Sequence, residues 1–299
     1  MMRAAIHAFP EGMGPARDLA DRLGLAGCAI ELHHFPDGES RVQVLPGSEI
    51  AILFRSLDHP NGKIVELLFA ASALRGNGAR RVILVAPYLG YMRQDIAFAP
   101  GQAVSQRVIG ALLADHFDAV LTVDPHLHRI RHLREVMPGI DAVSISAAPV
   151  LASAIGSGTD PVVVGPDAES RQWAEAIGRP RGLDVILGKK RRAGDRDVAI
   201  VLHRPDRVAG RPAILVDDVI SSGRTLEVAA QQLLAAGATS VEALATHCLA
   251  RADDLKRLER AGIFRVRSTD SVSGPTAIIP LAGMLAEAIT RQGWLEGEA

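Results

Sequence analysis

Short apolar runs alternate along this chain with longer stretches whose apolar residues recur at helical spacing. The runs at residues 50–54, 81–85, 119–123, 161–164, 184–187, 213–216 and 240–245 are rich in Val, Ile, Leu and Ala. They predict strands buried on both faces. Residues 61–75, 103–116, 170–177 and 225–236 predict helices, and 281–292 a final one. Helices between buried strands imply crossover connections, and so parallel sheets. The expected fold class is α/β, with mostly parallel sheets flanked by helices. Residues 82–87 and 213–218 echo each other as apolar strands running into a loop rich in chemistry, the pattern that two copies of one α/β unit would leave.

Length and charge narrow this picture. A chain of 299 residues makes two domains of ordinary size. The expected boundaries give a first domain at 1–146, a second at 147–280, and a C-terminal helix at 281–299 packing back on the first. A hydrophobic content of 48% supplies a core for both, and 22% charged residues argues against wholesale disorder. The formal net charge is −1, and 189–192 is the one conspicuous basic run, so a general nucleic-acid surface is not expected. Two cysteines, Cys28 and Cys248, cannot build a disulfide framework and lack metal-ligand spacing. No apolar run reaches the length of a membrane span and the first residues do not read as a leader, so a cytoplasmic protein without a membrane partner is expected.

The densest chemistry lies at 213–225. An apolar strand leads into Asp217 and Asp218, then into a turn of Ser221, Ser222 and Gly223, and Thr225 opens a helix. Backbone N–H groups at such a helix start face an anion, and the three hydroxyls add donors. The paired carboxylates suit ribose hydroxyls, or a metal that itself carries phosphates. A plain helix cap and turn is the structural alternative. As a ligand site, the segment fits a phosphorylated sugar.

A second constellation follows the strand at 81–85. Arg93, Gln94 and Asp95 place a planar cation, an amide and a carboxylate side by side. A guanidinium there can stack on a base or bind phosphate. Upstream, Phe35, Asp37 and Glu39 form an aromatic acidic turn, and Asp124-Pro125-His126, Pro166-Asp167 and Lys189-Lys190-Arg191 follow in order. His126, His128 and His132 lie close in sequence, but a further ligand at suitable spacing is missing, so zinc is not expected.

Taken together, these segments resemble the ribose-phosphate pyrophosphokinase (phosphoribosyl diphosphate, PRPP, synthase) family over nearly the whole chain. The resemblance implies two phosphoribosyltransferase-like domains with the active site between them. It implies transfer of the diphosphoryl group of ATP to the 1-hydroxyl of ribose 5-phosphate, giving PRPP and AMP for nucleotide biosynthesis. It gives ATP binding to Phe35, Asp37, Glu39, Arg93, Gln94 and Asp95. It gives sugar-phosphate binding to Asp217, Asp218, Ser221, Ser222, Gly223 and Thr225. His126 and Asp167 become magnesium ligands, although His126 could equally bond a metal-bound water or a phosphate. Lys189 and Arg191 become catalytic cations on a mobile loop, with Gly188 and Ala193-Gly194 as hinge points. A homodimer or higher homo-oligomer with shared active sites is implied as well.

Some positions depart from the family pattern. Ala168-Glu169-Ser170-Arg171 stands where many members are glycine-rich, and Arg224 stands where many have glycine. Residues 96–103 contain no Lys or Arg, unlike the bacterial members regulated by phosphate and ADP, and so look like the archaeal-type branch or a specialised paralogue. Two rival readings differ in class. A PRPP-dependent phosphoribosyltransferase would explain 213–225 but not the Phe35 turn or Arg93-Gln94-Asp95. A non-catalytic regulatory subunit would not need Lys189, Arg191, His126 and Asp167.

Overall fold

The protein is described by a computed structural model covering residues 2–296, apart from Pro46, His128, Ser157, Thr159 and 193–197. Of Met2, residues 190–192 and 198–201, and Pro205, only the backbone is described. The chain divides into two compact units. One comprises Met1–Ile145 with Leu281–Ala299, and the other Ser146–Pro280.

The first unit is built on a six-stranded parallel sheet. Its strands are β1 (Met2–Ala8), β2 (Ala26–Ala29), β5 (Ser48–Phe54), β6 (Arg81–Ala86), β7 (Ala119–Val123) and β8 (Asp141–Ile145), in the order β2-β1-β5-β6-β7-β8. Between β2 and β5, strands β3 (Glu31–His34) and β4 (Ser40–Gln43) form a separate antiparallel hairpin. Helices α1 (Met13–Leu23), α2 (Pro60–Gly76) and α3 (Ser105–Ala114) supply the crossovers. Pro60 starts α2 where its missing N–H costs nothing, and Gly24 ends α1 at φ 66°. The central strands are apolar on both faces because helices cover them, and Leu53, Leu67, Leu84 and Phe117 meet in the core. The C-terminal helix Ala282–Arg291 packs on α1. Beyond it Trp294 is buried, and its Nε1–H donates to Asp141 at 3.3 Å.

The second unit has a seven-stranded sheet. Its strands are β9 (Val162–Gly165), β10 (Val185–Arg192), β11 (Val198–Leu202), β12 (Pro212–Ile220), β13 (Ser240–Cys248), β14 (Ile263–Thr269) and β15 (Ala277–Ile279), in the order β11-β10-β9-β12-β13-β14-β15. All neighbours are parallel except β10 and β11, which form an antiparallel ribbon. Helices α4 (Ala148–Ala154), α5 (Arg171–Gly178), α6 (Arg224–Ala235) and α7 (Ala252–Arg260) complete it. Val164, Leu215, Leu226, Leu233 and Ala243 share its core.

Strand β12 runs four residues past the apolar run that predicts it. Its ladder with β13 continues to Ile220 opposite Cys248, so Asp217 and Asp218 belong to the strand itself. Strand β10 likewise continues past its apolar part because β11 pairs with it. Among the described residues, no helix is long and apolar enough to cross a membrane.

Candidate functional site

In each sheet the strand order reverses about a central strand, and the crevice at the carboxyl ends of the two strands flanking that reversal is where parallel α/β sheets take ligands. In the second unit the reversal lies between β9 and β12. Asp167 follows β9, and Asp217 and Asp218 lie near the end of β12, so this crevice collects three carboxyl groups. Burial pushes the Asp217 carboxyl well above the usual carboxylate range, and the charges of Asp218 and Asp167 push it further. Asp218 is buried and its Oδ1 accepts the Val219 N–H at 2.9 Å. Asp167 is also a local brace. Its Oδ1 accepts the N–H groups of Glu169 and Ser170, both at 3.1 Å, and Ser170 Oγ–H donates back to its carbonyl at 2.9 Å. The departing residues 168–170 therefore form a tight turn that leads into α5, and Glu169 points to solvent as an exposed residue.

After β12 the chain turns through exposed Ser221 and Ser222 to buried Gly223 and half-buried Thr225. Gly223 has φ 72° at the N-cap of α6, a left-handed conformation that a side chain would strain, and a Cβ there would meet Leu258 at 2.9 Å. No side chain caps α6, which leaves its first N–H groups facing the turn. Arg257 of α7 holds the turn from behind. It donates to the Ser222 carbonyl while pairing with Glu227 at 3.2 Å and Asp254 at 2.8 Å.

Lys189 is exposed and lies opposite Val201 on the β10–β11 ribbon. Arg191 follows on the same strand opposite Ala199, and its side chain lies outside the described residues. This corrects the expectation of a loop hinged at Gly188. Gly188 pairs with Leu202 inside the strand, because the ladder continues through it. Ala193 and Gly194 lie outside the described residues. A cavity of about 690 Å³ beside the ribbon brings Lys189 together with Arg171, His203, Arg204 and Arg207. Of these, Arg204 pairs with Asp206 at 3.3 Å and Arg207 with Asp184 at 3.1 Å.

In the first unit, the loops after β6 and β7 meet. Gly90 is required in the first loop, since a Cβ would lie 2.7 Å from the Leu57 carbonyl oxygen. Arg93 is exposed. The Gln94 side chain accepts the Ser105 hydroxyl at 2.8 Å. Asp95 is buried, and its Oδ1 takes Arg129 Nη1–H at 2.7 Å across from the loop after β7. Asp95 therefore ties two loops together, while Arg93 is the side chain free to face a ligand. Arg129 is a residue that motif reading passes over, although its place three positions after His126 hints at it. His126 is half-buried on this second loop, next to Pro125 and the left-handed Asp124 at φ 36°. Among the described residues, no three metal-ligating side chains converge closely enough to hold an ion by themselves.

Phe35, Asp37 and Glu39 lie on the five-residue loop between β3 and β4, and all three are exposed. Phe35 N–H donates to the Glu39 carbonyl at 2.8 Å, Gly38 N–H to the Phe35 carbonyl at 3.0 Å, and Glu39 N–H to Asp37 Oδ1 at 3.1 Å. The Phe35 ring meets His33 edge-on at 4.7 Å. The aromatic ring is therefore presented rather than buried.

Comparison with known proteins puts this geometry in a family. Residues 12–116 match the N-terminal domain of ribose phosphate pyrophosphokinase, and 140–278 match the phosphoribosyl transferase domain. The chain is 34% identical to the ribose-phosphate pyrophosphokinase of Methanopyrus kandleri, over 94% of this chain and 97% of that one. It is 32% identical to that of Vibrio vulnificus, over 92% and 91%. Phosphoribosylpyrophosphate synthetase from Mycobacterium smegmatis shares the fold, with a TM-score of 0.82, 24% identity and coverage of 97% of this chain and 98% of that one. By both its domains and its sequence, the chain belongs to the ribose-phosphate pyrophosphokinase family.

Proposed function

We propose that the chain makes PRPP, moving the diphosphoryl group of ATP onto ribose 5-phosphate. The observation that carries this reading is the presence in one chain of both family domains, each with motif residues on loops or strands at the carboxyl edge of a parallel sheet, the first with the Phe35 turn besides on its separate hairpin. The 1-hydroxyl oxygen attacks the β-phosphorus, the bond from that phosphorus to the bridging oxygen of AMP breaks, and the hydroxyl proton leaves to solvent. Such a transfer asks the protein mainly for positioning and for cations against developing charge.

The sugar phosphate falls to the second unit. The uncapped start of α6 with Ser221, Ser222, Gly223 and Thr225 suits the 5-phosphate. Asp217 and Asp218 suit the ribose hydroxyls. The nucleotide falls to the first unit, with Arg93 and the Phe35 turn contacting it and Gln94 and Asp95 shaping the loop. Lys189 and Arg191, on an extended ribbon, would place positive charge over the triphosphate.

Magnesium, when bound, would supply charge neutralisation of the phosphate oxygens. The donor set fits it, because the repulsion among Asp167, Asp217 and Asp218 that raises Asp217 is what a divalent cation relieves. Asp167 is the ligand of the right hardness. His126 suits a magnesium-bound water better than the ion itself. The protein would work in the cytoplasm as a homodimer or larger homo-oligomer.

The test is incubation with ATP, magnesium and ribose 5-phosphate while following the nucleotide product. AMP is expected, and ADP would overturn diphosphoryl transfer. Residues 96–103 carry no Lys or Arg, so activity should not require added inorganic phosphate. A strict phosphate requirement would contradict that part.

A further inference from the structure

The first unit contains a buried charge network that none of the motif residues explains. It lies at the switch point of that sheet, between β1 and β5. Arg55 directly follows β5 and is 3% exposed. Its guanidinium stacks on Phe9, the residue after β1, at 3.6 Å from the ring centre. Nε–H donates to Glu11 at 2.9 Å, Nη1–H to the Lys63 carbonyl at 3.1 Å, and Nη2–H to Glu66 Oε2 at 2.6 Å. Glu66 belongs to α2 and is 5% exposed.

The other oxygen of Glu66 reaches elsewhere. Oε1 accepts His34 Nε2–H at 2.7 Å and the Ser40 hydroxyl at 3.2 Å. His34 and Ser40 are register partners, one on each strand of the hairpin, and they form its last rung before the 35–39 loop. One buried carboxylate oxygen thus holds both strands where the loop begins. Burial alone would raise the Glu66 carboxyl, but donation from His34, Arg55 and Ser40 outweighs it and holds the group below the usual carboxylate range. Glu66 is therefore a fixed anion, held in turn by Arg55.

Two physical points make this more than a stability device. An isolated two-stranded hairpin is marginal in water and needs outside support to hold one position. A buried ion pair seldom stabilises a fold more than apolar residues of the same size would, so what it can add is a fixed geometry. We infer that Glu66, oriented by Arg55, is a positioning residue that sets the 35–39 turn, and through it the nucleotide base that the turn receives. The second half of this inference rests on the proposed function, in which the Phe35 turn contacts the nucleotide, here taken as its ring stacking on adenine.

The experiment uses the full-length protein and spares the buried pair, whose loss could unfold the unit. His34 is largely exposed and Ser40 is a small hydroxyl residue, so His34→Ala/Ser40→Ala cuts the link while leaving Arg55–Glu66 intact. Two readouts are taken. Amide exchange at Phe35 and Gly38, whose N–H groups close the turn, should quicken at least several-fold. KM for ATP should rise about tenfold, the size of a weakened base-stacking contact, while KM for ribose 5-phosphate holds. His34→Gln, which keeps a donor beside the intact Ser40, should restore the ATP KM that His34→Ala loses. Unchanged exchange and unchanged ATP KM in the double variant would overturn the inference, and so would an equal rise in both KM values. Phe35→Ala separates the two layers. If it leaves the ATP KM unchanged while the double variant still exchanges faster, the adenine reading falls and the anchoring role of Glu66 stands.

Discussion

The two sheets reverse strand order in the same way, yet the crevices at their reversal points are opposite in character. In the first unit the crevice is filled. Arg55 lies on Phe9 and is shared between Glu11 and Glu66, so acids there face a cation. In the second unit the crevice holds acids against acids. Asp217, Asp218 and Asp167 repel one another, and burial sharpens the conflict. One copy of the α/β unit has spent its ligand crevice on internal structure, and the other keeps a local electrostatic penalty that ligands and cations can relieve. Strain of this kind is what a binding site retains and a scaffold loses. Under the proposed function, the comparison accounts for a division of labour in which the first unit presents contacts on its hairpin and loops, and the second offers its crevice.

The largest expected effect is at the ribbon beside the open crevice. Lys189→Ala should lower turnover by a factor on the order of 10²–10³, as for loss of one charge-stabilising donor. Affinity for ribose 5-phosphate should hold, because the sugar is assigned to Asp217, Asp218 and the 221–225 turn. Single-turnover kinetics with calorimetric titration would separate the two quantities. Near-native turnover would remove Lys189 from the chemistry.

A smaller effect is expected where the first unit presents its ring. Phe35→Ala should raise KM for ATP by about tenfold, since base stacking is worth ~1–3 kcal/mol and 1.4 kcal/mol is a factor of ten. Mixing Phe35→Ala chains with Lys189→Ala chains tests whether a turn and a ribbon from different subunits serve one site. If they do, some mixed oligomers hold an intact site and activity partly returns. If subunits exchange and no mixture exceeds its parents, each site is built from one chain.

Much of the frame is legible in the sequence because buried parallel strands leave continuous apolar runs. The runs at 81–85 and 119–123 become β6 and β7 almost residue for residue. The β3–β4 hairpin leaves no such trace, since it is mostly exposed and its pattern is Glu, Leu, His, His. β1 is hidden for a different reason. It is short-chained and contains His7, which the fold buries so thoroughly that its pKa falls to about 4. The motif residues are legible as a set, but their individual tasks are not. Asp95 reads as one of three ligand contacts, and the sequence does not show that it also joins two loops through Arg129. Glu66 and Arg55 have no motif around them, because their partners are 8 to 44 residues away in sequence.

The last predictions set the acid of the open crevice against a paired acid on the loops of the first unit, and they should have opposite signs. Asp217→Asn removes a carboxylate that the folded state disfavours. The folded chain holds the Asp217 proton more tightly than the unfolded chain does, so folding loses stability as pH rises from the ordinary carboxylate range through the raised value. Above that window the penalty is complete, and the substitution should stabilise the second unit by on the order of 1 kcal/mol while weakening ribose 5-phosphate binding. The gain should shrink as pH falls toward the ordinary carboxylate range. Asp95→Asn does the reverse in the first unit. It removes the charge whose Oδ1 is paired with Arg129, and should cost roughly 1–3 kcal/mol, as for a weakened charged hydrogen bond, even though Oδ2 has no partner among the described residues. Two units in one chain need not melt together, so residue-resolved hydrogen exchange is the proper measurement. Protection should rise around β12 in Asp217→Asn and fall around the loops after β6 and β7 in Asp95→Asn. Destabilisation by both substitutions would mean that the folded state stabilises the Asp217 carboxylate, and the electrostatic penalty assigned to the open crevice would be lost.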